Sequence, residues 1–158
     1  MLINDGVLHS CLFYPSFQFK KNRSEYYRQL TSVRERGTYE EWIEFFCASL
    51  LESAKDSVGS LKNLVDLHNR STAAITENLG RTVANGQRLL SLLEEHPILD
   101  TAFIAARLDI GRSTASSLVK SFEELGILRP LDESRQRYRQ YGYEEYLSIL
   151  REDAEPIR

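Results

Sequence analysis

Pro15 and Pro97 bracket a stretch without proline in which apolar residues recur three and four positions apart, and this predicts helix over residues 24–96. The first half of the chain is therefore expected to be all-α. Ser24 is a candidate N-cap, and Gly37 is placed to close that helix after Arg34-Glu35-Arg36. Thr38 followed by Glu41 has the spacing of a capping box for a second helix, with Trp42, Phe45, Phe46 and Leu50 as its inward face. Further on, Val58, Leu61, Val65, His68, Thr72, Ile75 and Leu79 alternate at three and four, the spacing of a heptad seam that wants a helical partner. Gly80 and Gly86 are expected to loosen the helix before Leu89, Leu90, Leu92 and Leu93 resume an apolar face. The expected division is a helical region over residues 1–84 and a second domain over residues 85–158.

In the second domain the periodicity changes. Residues 101–128 read as two short helices with three or four residues between them, the pattern of a helix-turn-helix. Ala105 is small enough for the helices to cross closely, Ile104 and Leu108 flank it toward the core, and Ile110 is placed to plug the turn. Asp109 stands where such turns favour glycine in the left-handed conformation. The second helix gathers Ala115, Leu118, Val119, Phe122 and Leu125 on one face. That leaves Arg112, Ser113, Thr114, Ser116, Ser117 and Lys120 on or near the other, where short hydroxyls between cations suit a DNA groove. After Gly126, residues 127–129 and 139–143 read as two strands of a hairpin, which makes this a winged helix with a closing helix over 144–150. Arg135, Arg137 and Arg139 alternate along the wing, so that at period two they would share a face toward a phosphate backbone.

Charge tempers that picture without reversing it. The chain of 158 residues carries 20 Lys+Arg against 23 Asp+Glu, a formal net charge of −3, so affinity for nucleic acid from counterion release is expected to be modest. Within residues 97–158, only the strip from Arg107 to Tyr143 turns basic. With 42% hydrophobic and 27% charged residues the composition is that of an ordinary globular protein. No apolar run is long enough for a membrane span and the N-terminus lacks a signal core, which predicts a cytoplasmic protein with no membrane partner. Cys11 and Cys47 are isolated, so free thiols are expected, with Cys47 packed inside the apolar stripe. His9, His68 and His96 are scattered, no metal set or cofactor is implied, and the nucleophile-elbow, P-loop, metalloprotease and dinucleotide motifs are all missing.

Two stretches carry a family resemblance: Leu12-Phe13-Tyr14-Pro15-Ser16 through Asn22-Arg23-Ser24-Glu25-Tyr26-Tyr27, and residues 33–46 from Val33-Arg34-Glu35-Arg36-Gly37 to Phe45-Phe46. They resemble the C-terminal helices of Fic-family proteins. Members with a winged helix continue through a long helical linker, a His-Pro turn, the helix-turn-helix and a terminal motif similar to Tyr143-Glu144-Glu145-Tyr146-Leu147-Ser148-Ile149-Leu150. The resemblance implies a mainly α chain, a helical bundle remnant of the Fic fold followed by a winged helix-turn-helix with a small β-hairpin. The family's AMP-transfer loop, His-Pro-Phe-x-x-Gly-Asn-Gly-Arg, is missing here. His96-Pro97 is followed by Ile98-Leu99-Asp100, and the inhibitory motif fails at Glu77-Asn78 because Ala73 stands four residues before the glutamate.

The resulting expectation is a DNA-binding, transcription-regulator-like module without catalytic activity, bound to double-stranded DNA as a homodimer that buries the apolar faces at Trp42–Leu50 and Val58–Leu79. The other reading is a protein-interaction or dimerisation module of an AMP-transferring Fic system whose catalytic region is encoded nearby.

Overall fold

The computed structural model describes residues 15–132 and 139–152. The chain divides into two compact units, one running to Lys62 and including the residues from Arg151 on, the other Asn63–Leu150. Helix α3, Tyr39–Asn78, contributes to both.

In the first unit, α1 (Pro15–Lys21) and α2 (Arg23–Arg36) join the first part of α3. Asn22, not Ser24, precedes α2, so the expected cap is the second residue of the helix. Gly37 ends α2 as expected: at φ 70° it adopts the left-handed conformation and its N–H donates to the Val33 carbonyl at 2.9 Å. In place of the capping box expected at Thr38, the Thr38 hydroxyl shares a 2.6 Å hydrogen bond with Ser32 Oγ. The side chains that hold the unit are aromatic. Phe19 stacks on Phe46 with ring centroids 5.5 Å apart, Tyr26 meets the Trp42 ring edge-on at 5.6 Å, and Phe45 lies 5.9 Å from Trp42. Trp42, Phe45 and Leu50 are half-buried, but Phe46 remains exposed. Cys47 is also exposed, contrary to the packing role expected of it, because it sits about 160° around the helix from Phe45.

The second unit contains the apolar core. Leu67, Ile75 and Leu79 of α3 pack with Leu89, Leu90, Leu92 and Leu93 of α4 (Val83–Glu95), followed by β1 (Ile98–Asp100), α5 (Thr101–Leu108), α6 (Arg112–Glu124), β2 (Arg129–Pro130), β3 (Gln140–Gly142) and α7 (Glu144–Glu152). Gly86 is a close-approach residue and does not loosen the helix. A Cβ there would lie 2.7 Å from Leu79 Cδ2 and 2.9 Å from Ile75 Cγ2.

The strands form an antiparallel sheet in the order β1-β3-β2, with Leu99 opposite Tyr141 and Arg129 opposite Gly142. The hairpin expected from sequence is thus the β2–β3 pair, extended by a strand at Ile98–Asp100 that the sequence reading left unassigned. Pro130, which lacks an N–H, is tolerated because β2 is an edge strand.

The heptad seam expected over Val58–Leu79 is not one face. Ile75 and Leu79 are buried, whereas Val58, Leu61 and Val65 are exposed. The drift of a strict repeat over these three heptads is only about 60°, and the difference lies along the chain: Val58 and Leu61 belong to the first unit, whereas Ile75 and Leu79 pack into the core of the second.

Candidate nucleic-acid interface

Sequence places the helix-turn-helix, and three local devices fix its geometry. Asp100 caps α5, its carboxylate accepting the Phe103 N–H at 2.7 Å. Asp109 ends α5 at φ 53°, ψ 52°, in the left-handed conformation expected for that turn position. Arg88 reaches from α4 to donate from Nη2 to the Leu108 carbonyl at 2.7 Å, satisfying one of the carbonyls left open at the end of α5. Sequence reasoning missed Asp100 and Arg88. Asp before Thr101-Ala102-Phe103 is a legible capping signal, but nothing in the sequence marks an arginine that acts 20 residues away. Ala105 and Ile110 are half-buried against the core, in the roles expected of them.

α6 is strongly two-sided. Ala115, Leu118, Val119 and Phe122 are buried, while Arg112, Ser113, Ser116, Ser117 and Lys120 are exposed. At 100° per residue these five lie within an arc of roughly 140°, so the structure brings them onto one face. Thr114 is half-buried at the margin of that arc. The first turn of α6 holds no acidic residue, and its amide dipoles and Arg112 therefore present the same sign of charge at the N-terminal end. Glu123 and Glu124 lie at the opposite end, where Glu124 sits 3.8 Å from Lys120 in an exposed pair that contributes little to stability.

Around this helix, the Arg107 guanidinium lies 5.9 Å from the Phe103 ring centre, and the His96 ring meets the same phenylalanine edge-on at 5.2 Å. Arg139 is half-buried just before β3 and has an interaction partner. Arg135 and Arg137 lie outside the described residues. Among the described residues, no group of His, Cys, Asp and Glu side chains is placed to hold a metal ion, and no helix is long and apolar enough to cross a membrane.

Residues 82–132, from the start of α4 to just beyond β2, match the family model of the IclR helix-turn-helix domain. Among solved structures, the YusO protein from Bacillus subtilis is similar at 19% identity, over 63% of this chain and 76% of its own, with a TM-score of 0.35. No curated protein matches the chain.

The IclR match overturns the Fic resemblance, and with it the Fic bundle remnant and the AMP-transferring context. The residues that suggested it have other work. Tyr26, Trp42, Phe45 and Phe46 form the aromatic contacts among α1, α2 and α3, and any helical unit built on stacked rings needs aromatic residues at such spacings. The Tyr143 to Leu150 motif serves the winged helix itself, where Tyr143 is buried and stacks on Tyr146 at 5.5 Å. The chain is mainly helical, with a small three-stranded sheet and a helix-turn-helix of the kind found in DNA-binding transcription regulators.

Proposed function

We propose that this protein binds double-stranded DNA as a transcription regulator, with α6 as the recognition helix in the major groove. The observation that carries this reading is the outward face of α6, where Ser113, Ser116 and Ser117 lie between Arg112 and Lys120 on a helix anchored by four buried apolar residues. Short hydroxyl side chains let a helix approach base edges closely, and the two cations reach the flanking phosphates. Thr114 contacts the groove at its margin, and Arg135, Arg137 and Arg139 extend the contact along the wing. The match of residues 82–132 to a regulator's helix-turn-helix supports the same reading.

Residues 85–158 carry DNA contact in this reading, and residues 1–84 carry assembly. The protein acts as a homodimer, because two recognition helices related by a two-fold axis read adjacent half-sites. With a net charge of −3 the affinity depends on local charge around α6 and the wing rather than on the whole molecule. A gel shift of the intact chain on duplex DNA at 50 mM and at 200 mM salt tests this. Retardation at low salt that weakens at the higher concentration supports it, and free DNA at both salts refutes it.

A further inference from the structure

The first unit carries an excess of positive charge that the chain as a whole lacks. Between Pro15 and Gly37 six basic residues stand against Glu25 and Glu35, a net charge of +4 within a chain of −3. Two of the six are engaged: Arg28 donates from Nε to Glu25 at 2.8 Å, and Arg36 donates to Ser32 Oγ at 2.9 Å. The other four, Lys20, Lys21, Arg23 and Arg34, are exposed and form no ion pair among the described residues. Unpaired like charges on one short stretch raise a local positive potential that attracts anions.

α2 sets these charges in a row. At 100° per residue, Arg23, Tyr27, Leu30, Thr31 and Arg34 fall within an arc of roughly 100°, and all five are exposed. The opposite side holds the buried Gln29 and Ser32. The two arginines stand about 16 Å apart along the helix axis. The Arg23 guanidinium lies 5.7 Å from the Tyr27 ring centre, a contact that steadies both side chains, and the hydroxyls of Tyr27 and Thr31 come between the two arginines in sequence. Lys20 and Lys21 end α1 immediately before.

We infer that this row binds the phosphate backbone of duplex DNA without regard to base sequence, as a second contact surface in addition to α6. Guanidinium, ammonium, tyrosine and threonine groups are the donors that proteins use on phosphate oxygens. A duplex presents its phosphates as a linear array, which a linear row of cations matches. An anionic membrane fits less well, because a helix that lies in a bilayer surface needs a broad apolar face, and the outward side of α2 offers only Tyr27 and Leu30. The inference goes beyond the α6 reading, since every residue it uses lies in the first unit.

The test is duplex affinity of the full chain on a random-sequence duplex across a salt series, before and after Lys20→Gln, Lys21→Gln, Arg23→Gln and Arg34→Gln are combined. The combined variant should lose at least tenfold in affinity at 50 mM salt, and the slope of log affinity against log salt should flatten by up to about 3.6, at about 0.9 for each phosphate contact. Helical circular dichroism should stay unchanged, and the two-site variant Lys20→Gln with Lys21→Gln should show about half the change in slope. Arg23→Lys with Arg34→Lys, which keeps the charge, should keep the slope. An intact chain that leaves the duplex free at 50 mM salt overturns this surface and the α6 reading together. An intact chain that binds, with affinity and slope unaltered in the combined variant, overturns this surface alone. Binding that survives Ser116→Glu with Ser117→Glu but is lost in the combined variant supports this surface and counts against α6. Pelleting with phosphatidylserine vesicles that the combined variant abolishes, with no change in its DNA slope, overturns the inference in favour of a lipid surface.

Discussion

The hydroxyls of Ser71 in α3 and Tyr143 after β3, 72 residues apart in sequence, share a 2.8 Å hydrogen bond in the interior of the second unit. It ties α3 to the returning strand of the winged helix. Both side chains are buried, so each hydroxyl relies on the other as its hydrogen-bond partner. Tyr143→Phe should therefore destabilise the protein by about 1–3 kcal/mol, because it leaves the Ser71 hydroxyl buried and unpaired. The double variant with Ser71→Ala should lose less than the sum of the two single changes, as urea unfolding would measure.

The same tyrosine predicts a pH dependence. Burial pushes the Tyr143 hydroxyl above the usual tyrosine value, an effect that the hydrogen bond from Ser71 partly offsets. The folded state then holds this proton more tightly than the unfolded chain. Its contribution to stability is complete below about pH 10 and falls as pH rises through the higher folded value. Unfolding midpoints followed from pH 8 to 11 should decline at the alkaline end, and less steeply in Tyr143→Phe.

Gly86 and Gly126 should respond to alanine for different reasons. At Gly86 the new methyl group would overlap Leu79 and Ile75, and the destabilisation should reach about 1–3 kcal/mol although alanine is the better helix former. At Gly126 the space is open but φ is 73°, so the loss should be about 1 kcal/mol, from backbone strain alone. Thermal unfolding of both variants checks the difference.

Much of the winged helix was legible because its signals are local. The apolar periodicity of residues 112–125, the glycine at 126 and the left-handed position at Asp109 each follow from neighbouring residues, and each is where the sequence places it. What escaped depends on distant partners. Ile98–Asp100 is too short to show a period and becomes a strand only by pairing with β3. Gly86 reads as a helix weakener until Leu79 and Ile75 are seen against it. Likewise, spacing alone joined Val58 to Leu79 in one seam, and only burial separates the end packed into the core from the exposed one. The Fic resemblance failed in a related way, since aromatic spacing records how rings pack between helices and not which family uses them.

Asp109 offers a test in the direction of greater stability. A non-glycine residue in the left-handed region carries strain that glycine lacks. Asp109→Gly should raise stability by up to about 1 kcal/mol, reduced by the extra freedom of glycine in the unfolded chain. Thermal unfolding would detect it, and DNA affinity should not change.

On the wing, replacing Arg135, Arg137 and Arg139 together with alanine should weaken binding to all duplex sequences alike. Each phosphate contact contributes about 0.9 to the slope of log affinity against log salt, so losing up to three should flatten that slope by up to about 2.7. Filter binding across a salt series measures it.

The central claim is that the outward face of α6 meets DNA, and the most direct measurement is duplex affinity after Ser116→Glu and Ser117→Glu, by fluorescence anisotropy at 50 mM salt. Both residues are exposed, so the fold should persist, as circular dichroism would verify. Two carboxylates aimed at the groove should reduce affinity at least tenfold relative to the intact chain. Equal affinity in the folded variant would contradict the assignment of α6 as the recognition helix.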